Sequence, residues 1–389
     1  MSPEDPDTGG RTGSRDMRRL RKRRLHPLAG TARNQVRAAL ELLPDQPDLG
    51  PVSGAASEPD GPPLLLVACS GGPDSLALAA VAAFFGRLRR DGTRAYRVGA
   101  VVVDHGLQDG SGAVAERAAG QLRQLGLAPV QVRRVQVRAS GMGPEAAART
   151  ARYAALEEAA AELGAVAVLL GHTLDDQAEQ VLLGLGRGSG TRSLAGMPAR
   201  RGIFLRPFLG LRRADTEELC RVEGLEPWHD PTNADPAFLR SRVRSQVLPF
   251  LEEQLGPGVA HALWRSARIL RADADYLDSL ARTEYARLRC PAGGGIELDR
   301  AGLAELPAAM RHRVIALATA EMGGENPSYE RLLAAEALLK RQGSAGPVQL
   351  AGKVSVYRRS RGHPVPQDGR GYGNLVFRTT GRQAGNPDD

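Results

Sequence analysis

The chain has 389 residues, which is long enough for two domains with a sizeable core. Its 52 basic and 44 acidic residues give a formal charge of +8 and a pI near 9.8, which favours a polyanionic partner such as RNA. Cys69, Cys220 and Cys290 are too far apart to form a Cys-x-x-Cys pair, and no apolar run reaches the ~18 residues of a membrane span. We therefore expect a cytoplasmic protein with no membrane partner, structural zinc or iron–sulfur cluster.

Residues 1–60 are rich in proline, glycine, aspartate and arginine, so we expect most of this extension to be disordered. Apolar periodicity predicts one short helix within it, from about Ala32 to Leu43. The run Arg18–Arg24 fits either an arm that touches RNA or a solvated charge run, and the second is the commoner case.

From residue 64 onward, short apolar runs alternate with helical stretches. Four runs predict strands at Leu64–Cys69, Arg97–Val103, Val130–Val137 and Ala165–Leu170. This alternation predicts an α/β fold with a parallel sheet, in which ligands bind beyond the carboxyl ends of the strands. A further strand is predicted at Ile203–Leu209, and a helix at Thr216–Gly224.

The first strand runs into Ser70-Gly71-Gly72-Pro73-Asp74-Ser75, and a helix follows. The two glycines would let backbone N–H groups approach an anion, and Pro73 suits the first helical position. A helix N-terminus of this kind favours phosphate, although the lysine of the common nucleotide loop is missing. The alternative is a plain glycine turn, but the spacing of the polar residues favours phosphate binding.

A second polar cluster, Asp104-His105-Gly106, follows the second strand. It fits an ordinary turn, because aspartate and glycine are common in turns. With a phosphate loop on the neighbouring strand, His105 would instead bond to or neutralise a phosphate, and we favour this second interpretation.

A third cluster, Gly171–Asp176, follows the fourth strand and opens a helix that Thr173 would cap. Three carboxylates and a histidine would then lie on or beside one face of that helix: His172, Asp175, Asp176 and Glu179. Acidic residues are common in a first helical turn, but this many at one edge fit a Mg²⁺ site or a site for a substrate ammonium group.

Two segments with arginines come next. The glycine-rich loop Leu185–Met197 would cover a nucleotide, with Arg187 or Arg192 facing phosphate. The run Phe238–Pro249 has three arginines with no acidic residue between them, which favours contact with phosphate or a nucleotide. These are Arg240, Arg242 and Arg244.

Beyond residue 250 the pattern becomes helical, with a long amphipathic helix over Leu263–Ala281. Further helices are predicted near Arg300–Met322 and Ser328–Gln342, with a hairpin around Gly352 and a short strand at Asn374–Thr379. The whole chain thus divides into an extension over 1–60, a catalytic domain over 61–250, a smaller and mostly helical RNA-binding domain over 251–362, and a mostly flexible tail over 363–389.

Ser70–Ser75 resembles the pyrophosphate-binding loop of the N-type ATP pyrophosphatases, which have a Rossmann-like parallel sheet. Over residues 64–250 the chain resembles one family within them, the tRNA(Ile)-lysidine synthetases. The other motifs that carry this resemblance are Val103–Leu107, Glu145 with Arg149, Arg152 and Tyr153, Gly171–Leu183, Arg187–Met197, Trp228–Asn233 and Arg240–Pro249.

The resemblance implies an enzyme that uses ATP and Mg²⁺ to join free L-lysine to the wobble cytidine of tRNA(Ile) with a CAU anticodon. It implies catalytic roles for Asp74, Asp176, Glu179 and Arg244, with Asp176 and Glu179 binding lysine. Nucleotide binding would fall to Ser70–Ser75, His105, His172 and Arg187, metal binding to Asp74 and Asp175, and tRNA binding to Arg240, Arg242 and Arg244.

Two other functions fit the same scaffold. A tRNA thiolase would share the adenylation step, but such enzymes generally need paired cysteines, and this chain has none. A non-catalytic RNA-binding protein would not need an intact phosphate loop with its aspartate, and here Ser70, Asp74 and His172 are all present.

Overall fold

A computed structural model describes residues 26–44, 61–88, 92–104, 106, 110–135, 144–188, 190–231, 235–292, 295–340, 347–359 and 372–379. The chain forms two compact units, the first from residues 1–176 and 198–235 and the second from residues 177–197 and 236–389. None of the helices in these described ranges is long and apolar enough to cross a membrane.

The helices are α1 (Pro27–Leu40), α2 (Pro73–Ala83), α3 (Ser111–Gln124), α4 (Pro144–Leu163), α5 (Leu174–Gly186), α6 (Gly190–Leu194), α7 (Arg213–Glu223), α8 (Leu239–Arg242), α9 (Leu248–Leu255), α10 (Val259–Leu288), α11 (Arg300–Glu305), α12 (Ala308–Glu321) and α13 (Tyr329–Ala337). The strands are β1 (Leu64–Cys69), β2 (Arg97–Asp104), β3 (Val130–Arg134), β4 (Ala165–Leu170), β5 (Arg200–Arg201), β6 (Phe204–Leu205), β7 (Arg289–Ala292), β8 (Gly295–Leu298), β9 (Val348–Leu350), β10 (Val354–Arg358) and β11 (Leu375–Thr379).

The first unit is built on a six-stranded sheet of order β3-β2-β1-β4-β6-β5, which is parallel except for β5. The central strands are almost entirely buried, because apolar side chains of β1 and β4 fill a core on each face of the sheet. The carboxyl ends of the parallel strands lie at one edge, where the phosphate loop leaves β1. The predicted α/β fold with a parallel sheet is confirmed.

Helix α1 belongs to the core of the first unit. Its Ala29, Ala32 and Val36 are buried there, and the Arg33 guanidinium lies 4.0 Å from the centre of the Phe84 ring. The helix predicted within the N-terminal extension is therefore present. The rest of that extension, including the arginine run, lies outside the described residues.

The second unit combines helices with a five-stranded antiparallel sheet of order β7-β8-β11-β10-β9. Helix α10 buries a residue every seven positions, mostly alanine, so α12 can pack closely against it. The hairpin around Gly352 and the short strand β11, which lies between β8 and β10, are as predicted.

Two features of the second unit differ from the sequence prediction. The helix expected over Arg300–Met322 is divided into α11 and α12, because Pro307 has no N–H for a helical hydrogen bond and Leu306 before it is extended. Strands β7 and β8 were not predicted, because each has only four residues, too few to show a clear period-two pattern.

Gly171 lets the end of β4 touch the start of α2. A Cβ atom at Gly171 would lie 2.9 Å from the carbonyl carbon and oxygen of Asp74 and 3.0 Å from the amide nitrogen of Ser75. These are backbone atoms that cannot swing away, so only glycine allows this approach. The contact fixes the phosphate loop against the strand that leads into α5.

Gly171→Ala should lower the free energy of unfolding by about 1–3 kcal/mol, since the added methyl forces the two backbones apart. Urea denaturation measures this change. The matched control is Gly120→Ala, where a Cβ would meet no atom within 4 Å inside α3 and where about 0.4–1 kcal/mol should be gained. A neutral Gly171→Ala variant would contradict the close approach.

Candidate active site

The loop between β1 and α2 is held in shape by the buried side chain of Ser75. Its hydroxyl donates to the Gly72 carbonyl at 3.0 Å and accepts from the Ser70 amide at 3.2 Å. Gly71 adopts a φ of +82°, and its carbonyl accepts from the Trp228 amide at 2.9 Å. Pro73 is the first residue of α2. The loop is thus fixed by its own contacts, with the amides of the first turn of α2 at its end.

Asp74 lies in the first turn of α2 and has two partners from α7. The Thr216 hydroxyl donates to Asp74 Oδ1, and Arg213 Nε lies 3.4 Å from Oδ2. Burial raises the pKa of Asp74 to about 6, against the lowering effect of Arg213, and the negative charge of Asp176 adds to the rise. This carboxyl therefore titrates close to neutral pH.

Asp176 shares Arg213 with Asp74. Arg213 Nη2 lies 3.2 Å from Asp176 Oδ1, while Asp176 Oδ2 accepts from the Thr173 amide at 2.8 Å and the Thr173 hydroxyl at 3.0 Å. Thr173 therefore caps α5, as predicted, and Asp176 caps it in return. Arg213 connects the first turn of α2 with the first turn of α5.

Asp175 faces the start of α7. Its carboxylate accepts from Arg212 Nε at 3.0 and 3.2 Å, and the Arg213 amide donates to its Oδ2 at 2.7 Å. Sequence reasoning missed Arg212, Arg213 and Thr216. Two adjacent arginines at the start of a helix oppose the helix dipole, and this was the signal that could have indicated buried acidic partners.

Glu179, in the second unit, is fully buried and bound by two arginines. Arg240 Nε lies 3.0 Å from its Oε2, and Arg244 donates from Nε to Oε1 at 2.6 Å and from Nη2 to Oε2 at 3.0 Å. Arg240 and Arg244 share one side of their segment, as their spacing predicted, and Arg242 is exposed. Arg244 lies in a π-helical turn over Val243–Val247, a distortion often found at functional sites.

The remaining predicted residues are distributed as follows. His172 lies two residues past the end of β4, and Arg187 is exposed in the turn after α5. His105 lies outside the described residues. Arg192 pairs with Asp275 and Asp278 of α10. Of Arg187 and Arg192, the two arginines expected to face phosphate, Arg192 therefore already has carboxylate partners.

Mg²⁺ usually binds through one or two carboxylates together with substrate phosphates. Asp74 fits that role, because it stands beside the phosphate loop. Each Asp74 oxygen has one donor, Thr216 or Arg213, whereas Asp175 accepts from the Arg212 side chain and the Arg213 amide through at least three contacts and so has less capacity for a metal. Across the described ranges, no three His, Cys, Asp or Glu side chains gather into a metal-binding group.

Comparisons with known proteins agree with this geometry. Residues 53–251 match the family model of the PP-loop domain, and residues 298–363 match that of the TilS substrate binding domain. The chain is 52% identical over 325 residues to a tRNA(Ile)-lysidine synthase of Leifsonia xyli subsp. xyli, covering 83% of this chain and 95% of the relative. A tRNA(Ile)-lysidine synthase of Streptomyces coelicolor is 50% identical over 312 residues, or 79% and 86% of the two chains.

Asp74→Asn should stabilise the protein at neutral pH. Folding raises the pKa of Asp74 from 3.8 to about 6, so the folded state binds this proton more tightly than the unfolded chain and loses stability as pH rises through that interval. Above pH 6 the full cost is about 3 kcal/mol. The variant should gain about 1–3 kcal/mol in free energy of unfolding at pH 7.5, and the gain should shrink towards pH 5. A stability difference between Asp74→Asn and wild type that stays constant from pH 5 to pH 7.5 would contradict the raised pKa.

Proposed function

We propose the following function for this chain, which belongs to the tRNA(Ile)-lysidine synthase family. It joins free L-lysine to C2 of the wobble cytidine of tRNA(Ile) with a CAU anticodon, and it consumes ATP. The observation that carries the proposal is the extent of the likeness, which spans 95% of a curated relative and includes the phosphate loop with its aspartate.

The reaction has two steps. The cytosine O2 attacks the α-phosphorus of ATP. The bond between this phosphorus and the oxygen that bridges it to the β-phosphate breaks, and pyrophosphate leaves. The ε-amine of lysine then attacks the adenylated C2, the C2–O bond breaks, and AMP leaves. Only a neutral amine can attack, so a group near lysine must accept a proton. An anticodon loop presents its base already unpaired, which lowers the cost of reaching it.

The first step is assigned to the phosphate loop with Asp74 and Arg244. Ser70–Ser75 would hold the phosphates at the start of α2, with His105, His172 and Arg187 as further nucleotide contacts. Mg²⁺ held by Asp74, with Asp175 as the other proposed ligand, would neutralise charge on the leaving pyrophosphate. Arg244 would stabilise charge on the transferring phosphorus.

The second step is assigned to Asp176 and Glu179, three residues apart on α5. These carboxylates would grip the lysine ammonium group and take up its proton. Because Glu179 is fully buried under Arg240 and Arg244, lysine can reach it only when these arginines shift. The same arginines, with Arg242, are the proposed tRNA contacts, so RNA phosphate would draw them away and place lysine binding after tRNA binding.

Neither cysteine of the first unit, Cys69 or Cys220, offers a reactive thiol for the thiolase alternative, and Cys290 lies in β7 of the second unit. Burial raises the pKa of Cys69, and burial together with the charge of Asp74 raises the pKa of Cys220 to about 12. Both thiols are therefore protonated at neutral pH, whereas thiolates are the nucleophiles and metal ligands. We further propose a cytoplasmic location, a catalytic part over 61–250 and a tRNA-binding part over 251–362.

The proposed reaction is tested with purified full-length protein, ATP, radiolabelled lysine and tRNA(Ile) transcripts. With a CAU anticodon, AMP, pyrophosphate and lysine-labelled RNA should appear in equal amounts. A transcript with a GAU anticodon is the control and should give none of them. Absence of lysine incorporation together with transfer of sulfur from a supplied donor would overturn the proposal.

The division of roles predicts that Asp74→Ala abolishes adenylation, whereas Glu179→Gln lets adenylated tRNA accumulate because only lysine attack is impaired. The glutamine keeps one acceptor for the two arginines, which limits the loss of stability expected when a buried ion pair is broken. Single-turnover assays with ATP labelled at the α-phosphate detect the intermediate, and thermal unfolding checks the fold. Equal loss of both steps in both variants would contradict the division.

A further inference from the structure

A pocket of about 380 Å³ lies among the helices of the second unit. It is lined by Arg300 and Ala304 of α11, Arg311 of α12, Glu336 of α13, and Leu339 and Lys340 just after α13. Its volume falls in the range of small-molecule sites. All six residues lie within the segment that matches the TilS substrate binding domain, yet none of them takes part in the site proposed above.

The pocket carries an excess of positive charge. Three cationic side chains line it, with one carboxylate, Glu336. That carboxylate is 2.7 Å from Arg311 Nη2 and 2.8 Å from His312 Nε2. Burial acts to raise the pKa of Glu336, but the His312 hydrogen bond and the charge of Arg311 outweigh it and hold the pKa below its usual value. Glu336 is thus ionised and already paired, so the charges of Arg300 and Lys340 remain.

Two guanidinium groups of the pocket also have a buried donor without an acceptor. The Nε atoms of Arg300 and Arg311 are buried and have no hydrogen-bond partner in the described part of the chain. Arg311 is fixed in place, because its Nη1 donates to the carbonyls of Ala304 at 2.9 Å and Leu306 at 2.8 Å. Buried N–H groups are nearly always paired in folded proteins, so these two unpaired donors show that acceptor oxygens are scarce around the guanidinium groups of the pocket.

Arg300 is held by its backbone and its aliphatic stem, which leaves its guanidinium for that ligand. Its amide donates to Asn374 Oδ1 at 3.1 Å, and its Cδ lies so close to Gly373 that a Cβ there would be 3.0 Å away. A side chain fixed at its base loses less conformational freedom when its head binds a ligand.

We infer that this pocket binds a backbone phosphate of the tRNA substrate, with Arg300 and Lys340 contacting its oxygens. The inference rests on the proposed function, which makes a tRNA the substrate. A phosphate supplies both the negative charge and the acceptors, and guanidinium groups match its geometry. A phosphate of free ATP has the same chemistry, so the experiment separates the two sources.

The test uses the full-length protein and two variants, Arg300→Gln and Lys340→Gln. Each should weaken tRNA binding roughly 5- to 20-fold when binding is measured without ATP or lysine. Each should also reduce the slope of log affinity against log salt concentration by about one, the effect of one lost phosphate contact. The affinity for ATP should stay at the wild-type value. Arg331→Gln, on the exposed side of α13, is the matched control and should change neither quantity.

The outcomes separate the pocket from the proposed reaction. Unchanged tRNA affinity and salt slope in both variants, in a protein that does form lysidine, would overturn the pocket assignment alone. Weakened ATP binding with normal tRNA binding would assign the pocket to the nucleotide and overturn the inference too. Weaker tRNA binding by both variants, with no lysidine from wild type, would support the pocket and refute the reaction. Lys340 is exposed, so Lys340→Gln remains informative if Arg300→Gln fails to fold.

Discussion

The bridge that Arg213 makes between Asp74 and Asp176 is the interaction on which the candidate site of the first unit depends. The two carboxylates belong to different helices, α2 and α5, and each stands in a first turn at the carboxyl edge of the sheet. Two negative charges this close in a buried place repel each other. A single guanidinium between them lets both helices begin at the same edge, and α7, which supplies it, also supplies Thr216 to Asp74.

In the second unit, arginines likewise compensate the charge of a buried carboxylate, that of Glu179. A fully buried carboxylate is tolerated only when donors replace the water it has lost, and Arg240 and Arg244 provide them. In both units an arginine holds a carboxylate that the proposed chemistry needs. Each arginine stabilises the charged form of its carboxylate. In the proposed reaction, each arginine–carboxylate contact must also open so that a charged substrate group can bind.

The parallel sheet and the phosphate loop could be predicted because they depend on local sequence. Leu64–Cys69 is a continuous apolar run, Pro73 marks the first turn of α2, and Thr173 caps α5. The arginine partners could not be predicted, because Arg213 lies 139 residues from Asp74 and Arg244 lies 65 residues from Glu179. The sequence indicated that Arg240 and Arg244 share a side but not that a buried glutamate faces them. Strands β7 and β8 were missed because they are short and because hydrogen bonds to neighbouring strands, including the distant β11, stabilise them.

The most direct test of this account is the pKa of the Asp74 carboxyl, measured by carbon-13 NMR with the signal assigned through Asp74→Asn. Burial raises this pKa and the charge of Arg213 lowers it, with a result of about 6 in wild type. In Arg213→Gln the pKa should rise further, because the lowering charge is gone while Asp176 remains. A wild-type pKa near 4, or no rise in Arg213→Gln, would contradict the claim that this bridge controls the charge of the site.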